Sequence, residues 1–265
     1  MNEIVGVVGA GRMGLPIIGH LARKGFRTFA TDLDAKRRPE VEKRGAAWLP
    51  DAQGLAAQCD VILICVGFDR EVRQLVEKDL RSAKAGALCA ILSTIHPRTM
   101  QELAKASRIE LIDSTVCRGG EAADAGTLLS FVGGSEASVA RITPVLKAYS
   151  ADVVHSGAVG SAQVAKAVNN LIMWACLVAD HEGLALAQRY GVDIEHLRQG
   201  LLMSSAANNA LGNWGRQTMA WAEDDMAIVA EMAADCGIAL PQAGITRELC
   251  RALKPRRYKL EEYGR

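Results

Sequence analysis

From residue 4 to about 155 the chain alternates short apolar runs, rich in β-branched residues, with amphipathic stretches; the runs fall at 4–8, 28–31, 61–66, 88–92, 109–112, 129–132 and 153–155. Runs without polar alternation suit strands buried on both faces, and the segments between them suit crossover helices. The pattern predicts a twisted, mostly parallel sheet of the α/β class. After Gly160 the strand-like runs stop. No proline falls between 161 and 190 and only Gly183 interrupts that span. A helix of up to ~45 Å is predicted there, at about 1.5 Å per residue. Further helices are predicted over 194–203, 206–222, 226–236 and 242–253, the last just behind Pro241. The pattern divides the chain into an α/β part, 1–160, and an all-helical part, 161–265, joined through the long helix.

Composition narrows the partners more than the fold. Basic and acidic residues nearly cancel, 31 against 30, so there is no global charge footprint for nucleic acid or an anionic membrane, and any partner must be read by a local site. The longest uncharged apolar run, 171–179, is far shorter than the roughly 18 residues of a membrane span. No basic leader precedes the first apolar run, so the expectation is a cytoplasmic protein without a membrane segment. The cysteines (Cys59, Cys65, Cys89, Cys117, Cys176, Cys236, Cys250) are odd in number and form no CxxC pair, the pattern of reduced thiols used as small hydrophobes. The histidines show no ligand spacing, and no metal is expected. Glycine is abundant, at 25 residues, so the glycines need an explanation.

The first apolar run leads directly into Gly9-Ala10-Gly11-Arg12-Met13-Gly14 and then an amphipathic helix. In such a GxGxxG loop the first glycine makes the tight turn, the second lets backbone approach a pyrophosphate, and the third lets helix and strand pack closely. The helix N-terminus then presents unpaired amides to the phosphates. A second strand ends at Asp32, 18 positions after Gly14, where a carboxylate accepts hydrogen bonds from the adenosine ribose. Asp32 would repel a 2′-phosphate and Leu33 follows it, which favours NAD; Lys36, Arg37 and Arg38 keep NADP open.

Binding a dinucleotide does not say what is reduced; a proton donor is needed beside the nicotinamide. On a helix starting near Ser161, Lys166 and Asn170 share one face, with Asn169 beside them. A lysine in the first turns of an apolar helix can exchange a proton near neutral pH. The alternative is a surface lysine on an amphipathic helix.

Four motifs resemble those of the β-hydroxyacid dehydrogenase family, which includes 3-hydroxyisobutyrate dehydrogenase and tartronate semialdehyde reductase. Gly6-Val-Val-Gly9-Ala-Gly11-Arg-Met13-Gly14-Leu-Pro16 is similar to the family's GxIGxGxMGxP. Ser93-Thr94-Ile95-His96-Pro97 is similar to its ST-x-x-P loop. The segment from Asp113 through Cys117, Arg118, Gly119 and Gly120, with Ala123, Gly126 and Leu128, is similar to its substrate-binding DAPVSGG segment. Gly157 to Asn170 is similar to GxxGxGxxxKxxNN. The resemblance implies reversible hydride transfer between the nicotinamide and a small anionic 3-hydroxy acid or its semialdehyde. It implies Lys166 as general acid and base, and Asn169 and Asn170 holding substrate with Cys117, Arg118, Gly119 and Gly120. It also implies that Val66 and Thr94 join the glycine loop, Gly9 to Gly14, and Asp32 at the cofactor, and that the chain forms a homodimer or tetramer through the helical part.

Three positions depart from the family pattern. Cys117-Arg118-Gly119 replaces Ser-Gly-Gly, losing a hydroxyl and gaining a guanidinium. Arg118 either pairs with an anionic group of the substrate or turns outward or to an acid of the chain. Asp224 stands where the family has a lysine, and the stretch from Trp214 to Asp225 is shorter than usual. Gly67 replaces a proline in the loop after Cys65 and Val66. Two other readings compete: an imine or ketone reductase of the same architecture, which Lys166 disfavours, and a non-catalytic, NAD-binding regulatory protein.

Overall fold

The structure, a computed structural model, describes residues 3–264. The chain divides into two compact units, Met1–Lys166 and Ala167–Arg265. The first holds one sheet of eight strands: β1 (Ile4–Val8), β2 (Arg27–Thr31), β3 (Ala47–Trp48), β4 (Val61–Ile64), β5 (Leu88–Ile91), β6 (Glu110–Cys117), β7 (Leu128–Gly133) and β8 (Ser150–Gly157). Their spatial order is β3-β2-β1-β4-β5-β6-β7-β8, and every neighbouring pair is parallel except β6 with β7. The strand order reverses between β1 and β4, which marks the crevice at their carboxyl ends as the expected ligand position of a doubly wound fold. Helices α1 (Gly14–Arg23), α2 (Arg38–Lys43), α3 (Ala52–Ala56), α4 (Asp69–Glu77), α5 (Pro97–Ala106), α6 (Gly119–Ala125) and α7 (Glu136–Leu146) connect the strands.

The unbroken apolar runs have the physical cause expected of them. In β4, Val61 and Leu63 join one core with Val5, Val7, Ile17 and Leu21, while Ile62 and Ile64 join the other with Leu55, Val72 and Met100. Both faces of the strand are covered, so alternation would have left a polar group in a core. Each fully buried aliphatic side chain contributes about 1.5–3 kcal/mol.

Several elements differ from the sequence pattern, among them β8, which spans Ser150–Gly157 rather than 153–155. β6 continues past residue 112 to Cys117 through the buried Asp113, Ser114 and Thr115. Asp113 and Thr115 persist there because the start of helix α8 (Ser161–Arg189) meets them: Gly160 and Gln163 donate backbone N–H groups to Asp113, and Thr115 Oγ1 donates to Ala162 O. β3 is a two-residue strand whose sequence carries no periodicity to read. The helix predicted over 206–222 shrinks to α10 (Asn209–Gly212), capped by Asn208. Beyond it Gly215 and Met219 take φ of 88° and 55°, a handedness that a continuing right-handed helix cannot hold.

In the second unit, α8 continues from Ala167, followed by α9 (Ile194–Leu202), α10, α11 (Ala222–Cys236) and α12 (Pro241–Leu253). By length and composition α8 is long and apolar enough to cross a membrane, which the short uncharged run at 171–179 did not suggest. Its Trp174, Leu177 and Val178 are buried in one core with Met226 and Val229 of α11 and Ala243, Cys250 and Leu253 of α12. Trp174 also donates its indole N–H to Asp225 (2.9 Å). His181 is buried; its Nδ1 bonds Leu177 O (2.7 Å) and its Nε2 accepts from Tyr258 N (3.0 Å). Both ring nitrogens are thus used by the neutral ring, and burial pushes its pKa down.

Candidate active site

The glycine loop follows β1 at the carboxyl end of the sheet. Gly9 has φ 102°, and a Cβ there would lie 2.2 Å from Cys65 O; a Cβ at Gly14 would lie 1.9 Å from Gly9 O. Only glycine fits either position. Gly11 differs, because nothing stands within 4 Å of a Cβ built there. The backbone of Gly11 is open on the side where a pyrophosphate would approach. Helix α1 begins without a side-chain cap and without an acid in its first turn, as an anion-binding N-terminus requires. Asp32, just past β2, accepts from Ala10 N (2.6 Å) and from Asp34 N (2.9 Å), which sets its carboxylate against the loop. Gly9 to Gly14 with Asp32 therefore fit a dinucleotide.

Arg12 contributes differently from the glycines. Its guanidinium leaves the loop and pairs with both carboxylate oxygens of Asp124 on α6 (3.0 and 2.7 Å). On the way it covers Gly120, where a Cβ would come within 2.4 Å of Nη2. Of the basic residues after Asp32, Arg37 pairs with Glu40 and Arg38 with Glu42, while Leu33 is 97 % exposed.

The loops after β4 and β5, strand β6 and the start of α8 are tied together by polar groups. Val66 N donates to Ser93 Oγ (2.9 Å). The buried side chain of Gln163 spans the next loop: Nε2 donates to Ser93 O (2.9 Å) and Oε1 accepts from Ile95 N (2.9 Å), with the half-buried Thr94 held between. The backbone of the same residue donates to Asp113 Oδ2 (3.0 Å), and Gly160 N donates to Oδ1 (2.8 Å). Burial raises the Asp113 pKa, opposed by these backbone bonds. One turn along α8, Lys166 Nζ donates to Val116 O (2.8 Å) and lies 4.0 Å from Cys117 Sγ. The structure thus ties Val66 to Ser93, loop 93–95 to Gln163, and Lys166 to the Val116–Cys117 end of β6.

Arg118 does not join that group through its guanidinium. It pairs with Asp152 Oδ2 (2.7 Å) on β8 and donates to Thr127 O (3.1 Å). The backbone explains why: Arg118 has φ 84° and ψ −1°, the left-handed conformation, in the position where the family pattern has glycine. Of the two arrangements open to Arg118, the structure shows the pairing with an acid of the chain. Gly119 also has positive φ, 77°, and opens α6. Asn169 and Asn170 follow Lys166 on the same helix, in the second unit, and Asn169 Nδ2 donates to Asn170 Oδ1 (3.1 Å).

Sequence reasoning missed Gln163. Its signal was an amide in the first turn of a helix otherwise built there from Ala162, Val164 and Ala165.

A Rossmann-type sheet with this loop and carboxylate defines a dinucleotide-binding protein. Residues 4–160 match the model described as the NAD binding domain of 6-phosphogluconate dehydrogenase, and residues 160–262 match the one described as the NAD-binding of NADP-dependent 3-hydroxyisobutyrate dehydrogenase. The chain is 32% identical over 213 residues to 3-hydroxyisobutyrate dehydrogenase of Pseudomonas aeruginosa, covering 78% of this chain and 72% of the relative. It is 30% identical over 213 residues to 2-(hydroxymethyl)glutarate dehydrogenase of Eubacterium barkeri, covering 78% and 71%. The solved structure of Mycobacterium tuberculosis 3-hydroxyisobutyrate dehydrogenase with L-serine has the same fold, with a TM-score of 0.88 at 22% identity over 97% of this chain and 95% of that one. The chain belongs to the β-hydroxyacid dehydrogenase family, the NAD(P)-dependent oxidoreductases of hydroxy acids.

Proposed function

We propose that the chain interconverts a small 3-hydroxy acid and its semialdehyde, with Lys166 as the proton carrier and NAD as the preferred cofactor. The observation that carries this reading is the place of Lys166 Nζ, 2.8 Å from Val116 O at the carboxyl end of β6 and beside Cys117. The bound nicotinamide supplies the hydride in reduction and accepts it in oxidation. In reduction the Lys166 ammonium gives a proton to the carbonyl oxygen as that oxygen gains charge; in oxidation the neutral amine takes the hydroxyl proton back. Val116 O holds the ammonium in place between turnovers. Asn170, four residues on along α8, shares the helix face of Lys166 and supplies an amide for the substrate hydroxyl or carboxylate. Gly119 and Gly120 offer backbone amides to the carboxylate. The relatives support the substrate class: their names specify 3-hydroxyisobutyrate, 2-(hydroxymethyl)glutarate and L-serine.

Three features support NAD over NADP. Asp32 presents a carboxylate where a 2′-phosphate would lie, Leu33 offers it no charge, and Arg37 and Arg38 already have glutamate partners. Assembly as a homodimer or tetramer through the helical unit is supported by Val168, Ile172 and Leu186, exposed along α8, and by Tyr190, exposed just past its end. The test is a panel of 3-hydroxy acids, semialdehydes and one cyclic imine, followed by NADH and NADPH absorbance. Lys166→Ala is expected to lower kcat by about 100- to 10,000-fold on the acid that is turned over. Retention of turnover within tenfold of the unsubstituted enzyme would remove Lys166 from the chemistry.

A further inference from the structure

We propose that Gln163 is a positioning residue that sets the cofactor-side loop, 93–95, in register with Lys166; this rests on the reading of Lys166 as the proton carrier. Loop 93–95 follows β5 at the carboxyl edge of the sheet, next to the strand pair where the order reverses, so it borders the space in which a dinucleotide lies. Hydride and proton must reach adjacent atoms of one substrate. The seat of the cofactor and the amine of Lys166 therefore need a fixed separation.

Gln163 is built to hold it. Its amide copies a strand partner, donating to Ser93 O and accepting from Ile95 N, both at 2.9 Å. Only one orientation of the amide satisfies both bonds. Ser93 passes the constraint on, because its Oγ accepts from Val66 N in the loop after β4. From the other side the backbone around Gln163 is pinned to β6 by Asp113 and Thr115. Lys166 sits three residues further on, about 4.5 Å along the helix axis. An apolar residue, such as the buried Ala162 beside it, would carry no desolvation cost but would leave Ser93 O and Ile95 N without these partners. A buried amide with every polar group paired instead specifies one arrangement.

The test compares Gln163→Met and Gln163→Glu with Lys166→Ala, measuring kcat, KM and, by NADH fluorescence, the cofactor dissociation constant. Gln163→Met keeps the length of the side chain and loses both bonds. It is expected to lower kcat by about 100-fold while leaving the NADH dissociation constant and the KM for the acid unchanged. In Gln163→Glu, a protonated carboxyl group would donate its O–H to Ser93 O and accept from Ile95 N, whereas the carboxylate cannot donate. Because burial raises a carboxyl pKa, the kcat of Gln163→Glu relative to the unsubstituted enzyme is expected to be high near pH 5.5 and to fall at least tenfold by about pH 8.5. Glu110, Asp113 and Cys117 on β6, His96 in the loop after β5 and Lys166 on α8 are ionisable groups of the joined elements; they are present in both proteins, so the ratio reports the change at 163. A Gln163→Met enzyme with unchanged kcat, or a Gln163→Glu ratio flat with pH, overturns the proposal. If the methionine variant does not fold, the pH ratio of the glutamate variant decides alone. Lys166→Ala with full turnover refutes the proton-carrier reading and the proposal with it; an inactive Lys166→Ala beside a fully active Gln163→Met refutes the proposal alone.

Discussion

Arg118 is a non-glycine residue at φ 84°, with its guanidinium on Asp152 and Thr127 O, and it separates two roles that its sequence position leaves joined. A left-handed backbone costs an L-residue roughly 1–2 kcal/mol. The ion pair is about half exposed on both sides (42% and 54%), so screening holds its contribution to about 0.2–1 kcal/mol. Arg118→Ala keeps the strain and loses the pair. Arg118→Gly loses the pair but releases the strain, against about 0.5–1 kcal/mol of extra backbone entropy in the unfolded chain. The glycine variant is therefore expected to be more stable than the alanine variant by about 0.5–1 kcal/mol, or on the order of 2–4 °C in melting temperature for each kcal/mol. Activity should separate from stability. Because Asp152 holds the guanidinium, Arg118→Ala and Arg118→Gly are expected to keep kcat/KM on the preferred acid within about threefold, a ΔΔG‡ under about 0.7 kcal/mol. Thermal denaturation and steady-state kinetics of the two variants, with Asp152→Asn as control, measure both. An alanine variant more stable than the glycine variant refutes the strain argument. A large loss of kcat/KM in Arg118→Ala, absent from Asp152→Asn, would show that the side chain leaves Asp152 and binds substrate.

Two further predictions concern the glycine loop and the helical unit. Gly14→Ala places a Cβ 1.9 Å from Gly9 O and is expected to destabilise the fold by more than the ~1–3 kcal/mol of ordinary overpacking. Gly11→Ala meets no atom within 4 Å and should melt normally yet bind NADH more weakly; equal effects of the two in calorimetry and titration would contradict the loop geometry. For His181, whose folded pKa lies below its ordinary 6.5, stability is complete above that pH. It erodes as the pH falls below 6.5, at up to about 1.4 kcal/mol per unit, until the folded ring itself takes a proton. Asp113, with its pKa raised, works in the opposite direction and cancels when the unsubstituted protein is compared with His181→Gln. Trp174 and Trp214 report on this unit by fluorescence, and identical acid slopes in the two proteins would show that His181 is not the titrating group.

What the chain discloses locally and what it hides follow from the range over which each residue finds its partner. Gly9 and Gly14 are legible because backbone crowding within the loop, or against the neighbouring β4 end, forbids any side chain there, and that requirement is written in a few adjacent letters. β4 is legible because burial on two faces leaves no place for a polar residue. Asp113 and Thr115 break the same rule in β6, because their partners arrive from Gly160, Ala162 and Gln163, about 47 to 50 positions later. No periodicity of β6 could announce them. Arg118 is ambiguous in sequence for a related reason: its motif position leaves open a substrate anion or an acid of the chain, and Asp152, which its guanidinium meets, is delivered by β7 and β8 only once the sheet has formed.

The same distinction explains why the polar residues that tie the site together are also the ones that local pattern misreads. Val66, Ser93, Gln163 and Asp113 come from four separate elements, and each contributes a bond that would be an unpaired buried group if any one loop moved. An apolar core tolerates small shifts because its contacts are non-directional, whereas a paired amide tolerates few. Directional bonds are therefore the means by which the loops after β4 and β5 are held in one arrangement against β6 and the start of α8. Aliphatic side chains at 113 and 163 would leave Gly160 N, Gln163 N, Ile95 N and Ser93 O without these partners, and each buried orphan costs about 1–3 kcal/mol. Polar residues therefore persist where the surrounding apolar pattern predicts none, because backbone groups of distant segments depend on them.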